Sequence, residues 1–159
     1  MSDTGQSSML SAVKAYAARV KATPRRVTVL VVDDEDSVRK FVERVMREAG
    51  YTTAVAGDGL EAIQVAATLD PFDVVVTDVM MPQMTGDELA RRLRASHPSL
   101  KVLYLTGFSD RLFKEKVTLW EGEAFLDKPC SVKGLLQAVS LLMFGRFDEP
   151  MQTAPGEAR

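Results

Sequence analysis

Along residues 8–22, SMLSAVKAYAARVKA, the apolar positions Met9, Val13, Tyr16, Ala17 and Val20 form one stripe at helical spacing, and Thr23-Pro24 closes it. So short a helix is marginal alone in water, so it needs a surface to dock on. From Val27 to Val32 the pattern becomes a near-continuous apolar run, as expected of a strand buried on both faces. Val38, Phe41, Val42, Val45, Met46 and Ala49 then recur at helical spacing, and Gly50 stops that helix. Tyr51 to Ala56 reads as strand two. The turn Gly57-Asp58-Gly59 leads into a helix carrying Leu60, Ile63 and Ala67. Phe72 to Thr77 is strand three, and Thr85 with Glu88 predicts a capping box that opens a helix with Leu89 and Leu93 inward. Lys101 to Leu105 is strand four. Ser109 or Asp110 can cap a fourth helix, with Phe113, Val117 and Trp120 on one side. Ala124 to Leu126 is a short strand five. Ser131 opens a last helix, with Val132, Leu135, Leu136, Val139, Leu142 and Met143 inward and Gly145 as its stop.

The body therefore reads as five β-α units. Their connections are too long for hairpins, which predicts a parallel sheet with helices on both faces. The polar stretch from Arg146 onward, with Pro150 and Pro155, reads as a flexible C-terminal tail.

Totals narrow the function classes. The 159 residues are 46% hydrophobic and 26% charged, an ordinary globular composition with room for one core. No apolar run is long enough to span a bilayer, and MSDTGQSSML lacks the pattern of a secretory signal, which makes the cytoplasm the expected compartment. One cysteine and one histidine are too few for a zinc site built on those ligands. Net charge is −2, unevenly spread: residues 1–26 hold Lys14, Arg19, Lys21, Arg25 and Arg26 against Asp3, a local +4, which leaves the body at −6. A body of that sign argues against a nucleic-acid partner bound through a broad basic face, and no membrane partner is expected.

Ligands of open parallel sheets bind at the carboxyl ends of the strands. Here strand one ends in Asp33-Asp34, strand three in Asp78, strand four in Thr106-Gly107 and strand five in Asp127-Lys128-Pro129. Each has an ordinary reading by itself: acids beside a helix N-terminus, a solvated lysine, a turn threonine. Their coincidence at one sheet edge argues for a shared site. Two like charges about 4 Å apart repel by about 4 kcal/mol at an effective dielectric of about 20, so clustered carboxylates favour a proton or a cation. An all-oxygen donor set suits Mg²⁺ or Mn²⁺. Lys128 and the Thr106 hydroxyl add a point charge and a donor, so the set suits a phosphoryl group accepted on a carboxylate.

The segments VVDDED, TDVMMPQMTG, LTG and FLDKP, in this order and spacing, resemble the receiver domain of bacterial two-component response regulators over about residues 26–145. The resemblance implies a flavodoxin-like (βα)5 fold with strand order 2-1-3-4-5. It divides the chain into an N-terminal extension with a helix (1–25), a receiver body (26–145) and the tail (146–159). It implies Asp78 as phosphoacceptor, fed by a sensor histidine kinase or phosphotransfer protein. It implies Asp34 as a direct metal ligand, Asp33 as the acid that holds metal-bound water, and the Met80 carbonyl as a further ligand. Thr106 and Lys128 would bind the phosphoryl oxygens, and Lys128-Pro129 would be cis. Thr106 would be drawn to the phosphoryl group and Phe125 would turn inward behind it. That would alter a face of the fourth helix, fifth strand and last helix (Arg111, Lys114, Glu115, Thr118 and Lys133) for a downstream protein partner. The chain would be a switch that gains and loses its own phosphoryl group, not a turnover enzyme. With 14 residues after Gly145 there is no room for a DNA-binding output, so a stand-alone regulator or phosphate shuttle is expected, or a receiver excised from a hybrid kinase.

Several positions depart from the family's commonest pattern. Phe125 has no hydroxyl and cannot switch a hydrogen bond. Met80 and Phe108 are bulky and apolar, and are expected to hinder the hydrolytic water. Cys130 reads as a small buried hydrophobe, His97 as a surface residue far from the site, and Trp120 as packing. The basic N-terminal helix is expected to dock on its own domain, with a homodimer contact or an acidic partner as its alternatives. Two other classes fit less well. An aspartate-nucleophile phosphatase of the haloacid dehalogenase type would carry DxD after strand one and a cap domain, where this chain has DD and little spare length. A nucleotide or flavin binder would not place Asp33, Asp34, Glu35 and Asp36 where phosphate must sit.

Overall fold

The computed structural model describes residues 9–15, 26–69, 71–107 and 121–145. Five strands, β1 (Thr28–Val32), β2 (Thr52–Ala56), β3 (Val74–Asp78), β4 (Lys101–Thr106) and β5 (Glu123–Asp127), form one sheet in the order β2-β1-β3-β4-β5. Every pairing is parallel. The described helices of the body are α1 (Asp36–Glu48), α2 (Gly59–Thr68), α3 (Gly86–Ser96) and α4 (Val132–Phe144).

The apolar runs divide by alternation. Val29 and Val31 of β1 join Val42, Val45 and Met46 of α1 and Leu135, Leu136 and Val139 of α4 on one face. Leu30 and Val32 join Ala62 and Ala66 of α2 and Leu89 and Leu93 of α3 on the other. β1 and β3 are buried along their whole length, which is why they read as unbroken hydrophobic runs. Residues 9–15 are helical; Ala12 is buried and Val13 packs on the α1–α4 side of the core, so this stretch docks on its own domain.

The helices add one detail to the sequence reading and change another. Ala67 faces outward and Leu60 is 49% exposed; the small Ala62 and Ala66 face the sheet instead. A close helix–sheet approach favours alanine, a preference that a stripe drawn through the largest apolar residues misses. Thr85 does precede α3, but its side chain makes no cap hydrogen bond, and Glu88 pairs with Arg92 at 2.6 Å. The reciprocal box forms at α2: Asp58 accepts from the Glu61 N–H at 2.8 Å, and Glu61 accepts from the Gly57 N–H at 2.7 Å. Ser131 caps α4 by accepting from the Gly134 N–H at 3.0 Å, and Gly145 ends it with φ 72°, both as expected. His97 is half-buried rather than a free surface group, its ring 4.5 Å from that of Phe72 in an edge contact. The expected fourth helix, with Phe113, Val117 and Trp120, lies outside the described residues.

Candidate functional site at the carboxyl edge of the sheet

The sheet order places β1 and β3 side by side, so Asp33, Asp34 and Asp78 emerge at one edge. One carboxylate oxygen from each lies within 4.8 Å of the others. Asp33 is 1% exposed and Asp78 7%, whereas Asp34 faces solvent. Backbone donors fix the two buried acids. The Glu35 N–H donates to Asp33 Oδ1 and the Val79 N–H to Asp78 Oδ1, each at 2.9 Å. Arg39 donates to the Asp33 carbonyl at 2.8 Å and also pairs with Asp36, which ties the β1–α1 turn to the first turns of the helix.

β5 delivers the counter-charge. Lys128 Nζ lies 3.1 Å from Asp33 Oδ2 and 3.2 Å from Asp78 Oδ1. The Lys128-Pro129 bond is cis, as the resemblance implied. Burial opposes the ammonium charge, but the hydrogen bond and charge of Asp33, followed by those of Asp78, outweigh it and hold Lys128 above its ordinary pKa. One ammonium does not satisfy three acids. Burial first, and the Asp33 charge second, push Asp78 up to about 6 although Lys128 pulls the other way. Asp33 Oδ2 is buried and, beyond its 3.1 Å ion contact with Lys128, has no well-aligned hydrogen bond.

These features fit a hard divalent cation. The donors are all oxygen, they converge, one buried oxygen lacks a hydrogen bond, and the cluster is short of positive charge. Met80 follows two residues after Asp78 with its side chain 55% exposed at the rim. Gly86 lies tight behind the site: a Cβ there would come within 2.3 Å of the Asp78 carbonyl oxygen. Its N–H donates to the Val79 carbonyl at 2.8 Å, so α3 starts directly against the strand that carries Asp78.

Thr106 ends β4 at the same edge and is 1% exposed. Its hydroxyl donates to Asp127 Oδ1 at 2.9 Å rather than to any of the three clustered acids. Phe125 is half-buried, with its ring 5.6 Å from that of Tyr104, its register partner. The structure thus brings Asp33, Asp34, Asp78 and Lys128 into one cluster and leaves the Thr106 hydroxyl turned to its other neighbour. Sequence reasoning missed the anchoring by Arg39 and the pairing of Thr106 with Asp127. The only available signal for Asp127 was its place beside Lys128 at a strand end. Cys130 is half-buried against the α1–α4 core, with its thiol pushed up by burial. Lys133 is exposed on α4, whereas Phe108, Arg111, Lys114, Glu115 and Thr118 lie outside the described residues.

Comparison with known proteins agrees with this geometry. The family model of the response regulator receiver domain matches residues 29–140. The sensor kinase CckA of Brucella abortus is 38% identical over 117 residues, 73% of this chain and 12% of that protein. The probable transcriptional regulatory protein TcrX of Mycobacterium tuberculosis is 37% identical over 124 residues, 77% of this chain and 52% of that protein. The chain thus spans about half the length of these relatives, or less. Among solved structures, the chemotaxis protein CheY4 of Vibrio cholerae superposes with a TM-score of 0.63 at 31% identity, covering 74% of this chain and 98% of that one. The receiver domain of a hybrid histidine kinase CckA gives 0.61 at 29% identity, covering 72% and 97%. The five parallel strands in flavodoxin-like order, the acid cluster at their carboxyl ends and these matches make one conclusion: the chain belongs to the response regulator receiver domains of two-component signalling.

Proposed function

We propose that Asp78 accepts a phosphoryl group from a phosphohistidine on a sensor kinase or phosphotransfer protein. The observation that carries this reading is the meeting of Asp33, Asp34 and Asp78 within 4.8 Å, with Lys128 bridging two of them. An Asp78 oxygen attacks phosphorus in line, the P–N bond breaks, and an acyl phosphate forms. With its pKa pushed up to about 6, Asp78 is mostly ionised at neutral pH, yet it is more basic than an ordinary carboxylate and so a better nucleophile.

Asp34, Asp78 and the Met80 carbonyl would hold Mg²⁺ (or Mn²⁺), with Asp33 on its water. Such an ion supplies charge neutralisation for the oxygens of the moving phosphoryl group. Lys128 exchanges its contact with Asp78 for a phosphoryl oxygen, and Thr106 supplies the second donor. Phe125 moves into the space that Thr106 leaves, which shifts an existing equilibrium at the surface of β5 and α4, where a downstream protein binds. In this reading residues 26–145 are the receiver body, which works in the cytoplasm on protein partners or as a phosphate shuttle. It gains and loses its own phosphoryl group and is not a turnover enzyme. Met80 at the rim slows the hydrolytic water.

Intact mass spectrometry after incubation with Mg²⁺ and acetyl phosphate tests the proposal. One added phosphoryl group is expected on the wild type and none on Asp78→Asn. Equal addition to both proteins would place the acceptor elsewhere.

A further inference from the structure

β4 runs between β3, which carries Asp78, and β5, which carries Asp127. Thr106 and Asp127 are register partners, and the Thr106 hydroxyl donates to Asp127 Oδ1 at 2.9 Å. The hydroxyl therefore points across β4 toward β5, away from the strand of the phosphoacceptor. A threonine hydroxyl carries one proton and can donate one hydrogen bond at full strength. The Asp127 carboxylate and a phosphoryl oxygen on Asp78 compete for that single donor.

We propose that Asp127 is a latch, a positioning residue that holds Thr106 in its resting orientation and so restrains entry into the phosphorylated state. The inference rests on the reading of Thr106 as a donor to the phosphoryl group. The surroundings extend its reach. Tyr104 and Phe125 are the register pair two residues back on the same strands, so they share a face of the sheet with Thr106 and Asp127. Phe125 can fill the space beside it only when Thr106 turns away, so a latch on Thr106 also restrains Phe125. The latch is separable from the strand pairing: the Lys128 N–H donates to the Thr106 carbonyl at 2.8 Å by backbone alone. Asp127 is exposed, so its truncation leaves the core intact.

The test compares the wild type, Asp127→Ala and Asp127→Asn. Asn keeps an acceptor oxygen but loses the charge. Three-bond couplings to the Thr106 methyl carbon report its χ1 populations in the unphosphorylated protein. The phosphorylation rate with acetyl phosphate and Mg²⁺ reports entry into the active state. The latch predicts one dominant rotamer in the wild type and in D127N, and rotamer averaging in D127A. It predicts a rate for D127A roughly three- to tenfold above wild type, the weight of one ordinary hydrogen bond, with D127N near wild type. A single rotamer in D127A, or an unchanged rate despite a freed rotamer, would overturn the latch. Equal acceleration in D127A and D127N would also overturn it, because the cause would then be charge rather than the hydrogen bond. Failure of the wild type to take up any phosphoryl group would instead count against the proposed function, and the rotamer populations would then judge the contact alone.

Discussion

Asp78 is costly to bury while it is charged, and the cost has a sign that pH reveals. Its pKa rises from 3.8 unfolded to about 6 folded, so the folded state binds the proton more tightly. The destabilisation is absent below about 4, grows as pH rises through the window from 3.8 to about 6, and is complete above it. Its size is about 3 kcal/mol at most, reduced by solvent screening on the open side of the cluster. Asp78→Asn removes the charge, so urea denaturation in the presence of a chelator should show the variant more stable than wild type at neutral pH. The two should converge toward pH 4. Equal stability at neutral pH would mean that Lys128 already neutralises the cluster. Added Mg²⁺ should raise the wild-type midpoint more than that of Asp78→Asn, because the variant loses one of the three clustered carboxylates.

At the scale of elements, the β3–α3 junction is the tightest constraint on the site. Gly86→Ala would put a methyl carbon 2.3 Å from the Asp78 carbonyl oxygen, and backbone cannot yield as a flexible side chain does. The expected cost is about 2–3 kcal/mol of stability, with loss of metal affinity as the end of β3 shifts. Chemical denaturation and a Mg²⁺ titration read both, and an unchanged Mg²⁺ affinity would separate the junction from the site. Strand and helix order were legible because buried parallel strands write themselves as runs such as VVVTD and their helices as 3.6-residue stripes. The acids at the strand ends were legible because the fold rule names that edge. The facing of α2 was not, since packing there rests on Ala62 and Ala66, residues that carry little hydrophobic signal. Nor was the Thr106–Asp127 contact, because which of two neighbours a hydroxyl chooses depends on strand order and register. The capping box was assigned to Thr85 and Glu88 because many local patterns satisfy the rule, and a competing pair one turn along the same helix, here Glu88 with Arg92, takes the acid away from the cap.

Across the whole molecule, the sheet has a sealed centre and a less buried edge. β1 and β3 are sealed between two apolar layers and hold the acids in place. β5 is one of the two edge strands, only half-buried, and it carries Phe125, Asp127 and, just beyond, Lys128. It is tied back to α3 by Arg94 and Glu123, 2.5 Å apart with the Glu123 side chain 3% exposed, and Tyr104 Oη lies 3.4 Å from the same carboxylate. Arg94→Ala leaves that acid buried without its guanidinium, and should lower stability by about 2–4 kcal/mol in urea denaturation. A loss under about 1 kcal/mol would show that β5 is held by its backbone ladder instead.

The central claim is that Asp78, and no other acid of the cluster, takes the phosphoryl group. An aspartyl phosphate is an acyl phosphate, and borohydride reduces it to homoserine at the modified position. The direct test is therefore borohydride trapping after phosphorylation, followed by tandem mass spectrometry of the two peptides that span residues 27–39 and 74–91. Homoserine at position 78, dependent on Mg²⁺, is the predicted result. Homoserine at 33 or 34, or none in a protein that has gained the phosphoryl mass, would contradict it.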